Sequence, residues 1–155
     1  MNFKIVCPSM GRPEVFARSF VPLMEYPETY VIVFEDEVPE YKDRLMKEGF
    51  NHVKVIGIER DIIGKSAKLN WVLDNLYTTF DDFVAFFDDD IKCMRWRMSR
   101  KLEVIPEKDI PAVLEESYYL AKAFGARIVT FAYNSGVRGI NRTSKIRQKQ
   151  LAWLK

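Results

Sequence analysis

The stretch FVAFFDDD, residues 83–90, sets five apolar residues directly before three aspartates. An apolar run without polar alternation is typical of a strand buried on both faces of a sheet. In an open α/β sheet, ligands collect beyond the carboxyl ends of the strands. The stretch therefore predicts a buried strand that brings Asp88, Asp89 and Asp90 to the edge where a binding site would form.

Four other short apolar runs, separated by segments with helical patterns, accompany this strand. The runs are residues 3–7, 30–34, 53–58 and 127–132. The patterns predict a helix from Pro13, one over 41–48, one N-capped by Ser66 with a stripe from Leu69 to Leu76, and one from Asp109 to Gly125. Residues 91–105 fit either a strand with one wet face or a loop. The alternation predicts an α/β domain with a mostly parallel central sheet flanked by helices.

Composition limits the protein class without identifying a partner. The 155 residues are 48% hydrophobic, which suits a single folded domain, and the net charge of +2 is too small to attract a partner by a global field. The sequence has no signal-type region or spanning segment of about 20 apolar residues, so we expect a soluble cytoplasmic protein with no membrane partner. Cys7 and Cys93 lie far apart and predict buried free thiols.

The aspartate run predicts a divalent metal site. Side chains alternate along an extended chain, so Asp88 and Asp90 fall on one side and Asp89 on the other. Two neighbouring carboxylates repel each other unless a cation intervenes, and hard oxygen ligands suit Mg²⁺ or Mn²⁺. The alternative is an acidic loop whose carboxylates are solvated or cap a helix.

Three other segments carry candidate binding residues. The loop CPSMGRPE, residues 7–14, contains Pro8, Ser9 and Arg12, and is either a nucleotide-binding loop or a plain turn with an exposed arginine. Glu35 and Asp36 follow the second run and suit either a base or ribose contact or a solvated turn. Residues 60–70 place Asp61, Lys65 and Lys68 around a helix start, where anions bind. This segment is not a Walker A loop, because the first glycine of that motif would fall at Glu59.

Taken in order, the loop at 8–14, the helix start at 64–70 and the aspartates at 88–90 resemble the nucleotide-sugar-binding half of GT-A glycosyltransferases, in the nucleotide-diphospho-sugar transferase superfamily. The resemblance covers most of residues 3–92 and implies a Rossmann-like, GT-A type single domain over residues 1–132. It implies these contacts: Pro8, Ser9 and Arg12 beside the nucleotide, Glu35 or Asp36 on base or ribose, Asp61, Lys65 or Lys68 near nucleotide or phosphate, Asp88 near ribose or sugar, Asp89 on the nucleotide sugar, and Asp88 and Asp90 as the D-x-D pair on Mn²⁺ or Mg²⁺.

The resemblance implies a metal-dependent hexosyltransferase that moves a sugar from a nucleotide-diphosphate sugar, such as UDP-glucose, to an acceptor hydroxyl. Two alternatives stay open: a nucleotidyltransferase acting on sugar phosphates, and a non-catalytic nucleotide- or nucleic-acid-binding module on a truncated scaffold. The sequence departs from the family after Asp90, where 65 residues follow without a histidine. Glu103, Glu107 and Asp109 are the nearest candidate bases, and none is assigned.

Residues 133–155 form a basic tail with six lysines and arginines and no acid. Such a tail suits a negative partner, either the donor diphosphate beneath a lid or the backbone of a nucleic-acid acceptor. Compact GT-A-like enzymes that glucosylate hydroxymethylated bases in phage DNA are a similar subfamily. DNA is therefore one predicted acceptor, and a merely solvated tail is the alternative.

Overall fold

Residues 2–14, 26–77, 82–91, 93–98 and 101–126 are described by the computed structural model of this chain. Its strands are β1 (Asn2–Pro8), β2 (Thr29–Phe34), β3 (Lys54–Ile58), β4 (Asp82–Phe86), β5 (Arg95–Met98) and β6 (Lys101–Val104). The helices with both ends inside these ranges are α1 (Val38–Lys47), α2 (Lys65–Leu76) and α3 (Ile110–Ala123), with short 3₁₀ turns at Glu35–Glu37 and Glu107–Asp109. The predicted strand at 127–132, most of the helix from Pro13 and the tail at 133–155 lie outside the described residues.

Four strands form one parallel sheet in the order β3-β2-β1-β4. In register, Ile5 lies between Thr29 of β2 and Ala85 of β4, and Val31 of β2 pairs with Val55 of β3. Helices flank this sheet, so the predicted α/β class with a parallel central sheet is confirmed. A separate antiparallel hairpin joins β5 to β6.

The strand order reverses direction at β1. The chain moves outward from β1 through β2 to β3 and then returns to β4 on the other side of β1. Connections between parallel strands are nearly always right-handed, so this reversal requires the helix before β4 to cover the opposite face. The two apolar clusters agree: Tyr41 of α1 packs with the odd-numbered β1 residues Phe3, Ile5 and Cys7, whereas Val72 of α2 packs with Val6.

The reversal leaves β1 and β4 side by side, with β2 on the other flank of β1. The Ser9 amide donates to the Ile32 carbonyl at 2.9 Å, and the Phe87 amide donates to the Val6 carbonyl at 2.9 Å. Both segments therefore remain hydrogen-bonded to the neighbouring strand at the carboxyl edge of the sheet. Such a switch point is where open α/β sheets bind ligands.

Two predictions of helix starts were wrong. The N-cap of α2 is Gly64 rather than Ser66, because Gly64 takes φ 91° and lets the first turn begin at Lys65. Helix α1 begins at Val38 rather than Tyr41, since Pro39 in the first turn needs no amide partner there. The strand reading of residues 91–105 is confirmed for β5, and its partner β6 was not predicted.

The chain divides into two compact units, Met1–Glu115 and Glu116–Lys155. The parallel sheet and every residue of the candidate site belong to the first unit. In the second, residues 116–123 continue α3, and Gly125 with φ 65° follows it, as the predicted stop at that glycine requires. No helix in the described ranges combines the length and the apolar character needed to span a bilayer.

Candidate functional site

The loop after β1 and the aspartate run after β4 meet through Asp89. Ser9 Oγ donates to Asp89 Oδ2 at 2.7 Å, and Arg12 Nη2 donates to Asp89 Oδ1 at 2.5 Å. These bonds join positions 80 and 77 residues apart. The structure thus brings together three of the predicted site residues at the switch point between β1 and β4.

The three aspartates differ in environment. Asp89 is buried, with 3% of its surface exposed, while Asp88 and Asp90 are exposed. Asp89 directs both oxygens inward to Ser9 and Arg12, so it acts as an anchor between two loops. Each Asp89 oxygen already accepts one hydrogen bond, so only its second lone pair is left for the predicted contact with a nucleotide sugar.

Asp88 and Asp90 are the exposed carboxylates of the run. No group of three or more His, Cys, Asp or Glu side chains within the described residues could hold a metal ion. Mg²⁺ is commonly held by one or two carboxylates together with substrate phosphates. Two exposed carboxylates fit that mode, in which the ligand completes the coordination shell, and the metal site stays a prediction.

Tyr41 is a site residue that the sequence did not predict. It is fully buried on α1, and its hydroxyl lies 2.7 Å from Ser9 Oγ and accepts the Arg12 amide at 3.1 Å. Burial raises the pKa of this hydroxyl, so it stays protonated at neutral pH. The available signal was its spacing of four from Leu45, which marks the apolar face of α1 but not a polar role.

Lys68 brings a positive charge to the same edge. Only 3% of its surface is exposed, and its Nζ lies 4.6 Å from the centroid of the Phe34 ring. Among the described residues its ammonium has no hydrogen bond or ion pair. Burial lowers the pKa of Lys68, and the charges of Glu37 and Asp89 only partly oppose that shift. The side chain is buried along its length, but its Nζ is not closed off from solvent, so an anion could reach the ammonium.

The start of α2 adds to this positive character. Gly64 provides no side-chain cap for the first turn. The first amides of a helix have no intrahelical acceptor and carry the positive end of the helix dipole. Lys68 therefore lies one turn into a helix start that favours negative charge, and anion binding by residues 60–70 stays a prediction.

Cys7 lies in the core below the aspartates. Burial raises its pKa well above the usual value, with Asp89, Asp88 and Asp90 adding to the effect and Arg12 opposing it. The predicted buried free thiol is confirmed for Cys7. Cys93 is also free, but its predicted burial is wrong, because it lies between β4 and β5 rather than inside a strand and is exposed.

The remaining predicted residues lie at the neighbouring strand ends. Glu35 and Asp36 are exposed in the turn after β2, and Asp61 is exposed after β3. Asp36 pairs with Arg60, whose hydrogen bond lowers the pKa of the Asp36 carboxyl. Pro8 is half-buried at the end of β1, and the side chain of Lys65 lies outside the description. Their contacts with a nucleotide stay predictions.

Glu37 is a second residue that the sequence did not single out. Its carboxylate faces the amide of Phe34 at 3.4 Å, and a Cβ built on Gly11 would lie 3.9 Å from its Oε1. Glu37 therefore lies between the loop after β1 and the buried Lys68. In the sequence Glu37 is only the last acid of Glu35–Glu37, and nothing there indicated that it lies close to the loop after β1.

Lys68→Met is expected to raise the free energy of unfolding by about 1 kcal/mol at pH 7, because it removes the cost of partly desolvating the ammonium, which the charges of Glu37 and Asp89 only partly offset. The lowered pKa of Lys68 means that the unfolded chain binds its proton more tightly, so the gain should shrink as pH rises towards the ordinary value of 10.5. Urea unfolding at pH 7 and pH 10 measures both effects. Lys54→Met is the matched control, since interactions with Tyr30 and Glu28 raise the pKa of Lys54 and its loss should not stabilise. A destabilised Lys68→Met would contradict the reasoning.

No family model, curated protein or solved structure matches this chain.

Proposed function

We propose that this protein is a glycosyltransferase that moves a sugar from a nucleotide-diphosphate sugar, with UDP as the nucleotide, to an acceptor hydroxyl. The donor binds beyond the carboxyl ends of β1 and β4. The observation that carries the proposal is the Asp89 junction, in which an arginine-bearing loop and an aspartate run meet at the sheet's switch point.

Two cationic groups at this edge suit a diphosphate. The Arg12 side chain is 51% exposed and donates from one guanidinium nitrogen to Asp89, so its other N–H groups can donate to a ligand. Lys68 contributes an ammonium on a largely buried side chain at the start of α2. A phosphate oxygen would supply the acceptor that this ammonium lacks among the described residues.

Asp88 and Asp90 suit the metal part of the same site. Mg²⁺ or Mn²⁺ held there with the donor's phosphates would neutralise the charge that develops on the departing diphosphate. Asp89 holds the turn at 88–90 against the loop after β1, which keeps its exposed neighbours beside Arg12. In the reaction the acceptor oxygen forms a bond to the anomeric carbon, the bond to the diphosphate breaks, and the hydroxyl proton leaves to a base.

A thermal-shift panel of nucleotide sugars with and without Mn²⁺ tests donor binding, because a ligand that binds the folded state raises the melting temperature. We expect a UDP-sugar to stabilise the protein and Mn²⁺ to enlarge the shift. No shift with any nucleotide sugar in either condition would refute the proposal.

Product analysis then separates glycosyl transfer from its rivals. With an acceptor panel that includes hydroxymethylated DNA, release of a nucleoside diphosphate supports glycosyl transfer. Release of pyrophosphate from a sugar phosphate and a nucleoside triphosphate would instead indicate a nucleotidyltransferase. Tight donor binding without transfer or hydrolysis would indicate a binding module.

A further inference from the structure

Four groups at the site form a closed ring of hydrogen bonds. The bonds run from the Arg12 amide to Tyr41, from Tyr41 to Ser9, from Ser9 to Asp89, and from the Arg12 guanidinium back to Asp89, with lengths of 3.1, 2.7, 2.7 and 2.5 Å. An ionised carboxylate only accepts, so Ser9 must donate its single proton to Asp89. Tyr41 must therefore donate to Ser9 and accept from the Arg12 amide. Each of the two hydroxyl protons in the ring has one assigned partner.

The ring has one exposed member. Tyr41, Ser9 and Asp89 are 0%, 2% and 3% exposed, whereas the Arg12 side chain is 51% exposed. Buried hydrogen bonds lack competition from water and hold their geometry. The three buried members thus form a fixed base, and the guanidinium is the part that reaches solvent.

Tyr41 holds the loop at two points. It bonds the Ser9 side chain and the Arg12 amide, and Gly11 between them takes φ 59°, which turns the chain over the Tyr41 hydroxyl. The aspartate fixes the tip of the arginine, and the tyrosine fixes its backbone. An arginine held at both ends loses little further side-chain freedom when a ligand binds.

We propose that Tyr41 is a positioning residue that, through Ser9 and the Arg12 backbone, aims the Arg12 guanidinium at the phosphate groups of a nucleoside diphosphate. This inference rests on the proposed function and assigns the phosphates and the nucleoside to different residues of the site. Tyr41 acts on the phosphates alone, and the nucleoside is held by other residues. Its loss should therefore weaken binding only of ligands that carry phosphate.

Tyr41→Phe tests this division by calorimetry with UDP and uridine. We expect UDP to bind about tenfold more weakly and uridine to change by less than about twofold, since one aimed charge-assisted contact is lost. Tyr30→Phe is the matched control: Tyr30 is also a buried tyrosine with a hydroxyl bonded to Glu28 and Lys54, but it lies near the amino end of β2. It should leave both affinities unchanged. Equal losses for UDP and uridine in Tyr41→Phe, or no loss for either, would overturn the proposal.

A second measurement does not depend on nucleotide binding. Phenylglyoxal modifies arginine side chains, and peptide mass spectrometry reports its rate at Arg12. We expect Arg12 to react several-fold faster in Tyr41→Phe and in Ser9→Ala than in the wild type, because each variant breaks the ring. If the wild type binds neither UDP nor uridine, the proposed function fails while faster modification still supports the positioning of Arg12. Unchanged rates in both variants would refute the positioning whatever the binding result.

Discussion

Asp89→Asn is expected to lower the free energy of unfolding by about 2 to 3 kcal/mol at pH 7, because a hydrogen bond to a buried charged acceptor contributes about 1.5 to 3 kcal/mol. The amide that replaces the carboxylate has one accepting oxygen, so either Ser9 or Arg12 then faces a donor. Lys68 also loses one of the two negative charges, those of Glu37 and Asp89, that oppose its desolvation. The pair with Arg12 adds little to this figure, since the arginine is 51% exposed and its charge is screened by solvent.

Asp90→Asn is the matched control for the neighbouring position. Asp90 is exposed, so the same substitution should change stability by less than about 0.5 kcal/mol. Urea unfolding followed by circular dichroism measures both variants under one condition. Similar losses for the two variants would mean that Asp89 does not anchor the loops.

Asp90→Ala is expected to abolish the effect of Mn²⁺ on UDP-sugar binding. If the cation is shared by the protein and the diphosphate, Mn²⁺ should strengthen binding to the wild type by about tenfold or more, and removal of a ligand should reduce that gain to less than about twofold. Isothermal calorimetry with and without Mn²⁺ measures the difference.

Asp36→Ala is the control for a carboxylate at the same sheet edge. Asp36 is exposed and paired with Arg60, so its removal should leave the Mn²⁺ effect in place. A wild-type protein that binds UDP-sugar equally well with and without the metal would contradict the proposed cation site. Loss of the metal effect in both variants would show that the response is not specific to Asp90.

The parallel sheet was predictable because a strand buried on both faces has a sequence of consecutive apolar residues. Residues 83–87 are apolar in succession, and β4 was placed within a residue at each end. The division of residues 91–105 into two paired strands was not predicted, since KLEV is only four residues long and no Gly, Pro, Asn or Asp marks a turn before it. Gly64 was missed as an N-cap because glycine lacks the side-chain oxygen that marks such positions.

The site was predictable only in part, for a different reason. Sequence placed Ser9, Arg12 and Asp89 at adjoining strand ends, because the carboxyl ends of parallel strands share one edge. It did not indicate which aspartate turns inward, and it gave the metal pair as Asp88 and Asp90. Tyr41 and Glu37 were missed because their roles depend on how α1 and the turn before it lie over the loop after β1, which no local pattern records.

The reversal of strand order also has a consequence for biosynthesis. On the ribosome, β1 emerges long before β4, and Asp89 follows Ser9 by 80 residues. Until then Ser9 and Arg12 cannot form their hydrogen bonds to Asp89, and β1 has no β4 beside it. Contacts of such long separation form slowly. A nascent chain stalled before residue 82 should therefore depend on chaperones, and the junction at Asp89 should be among the last parts of the molecule to form.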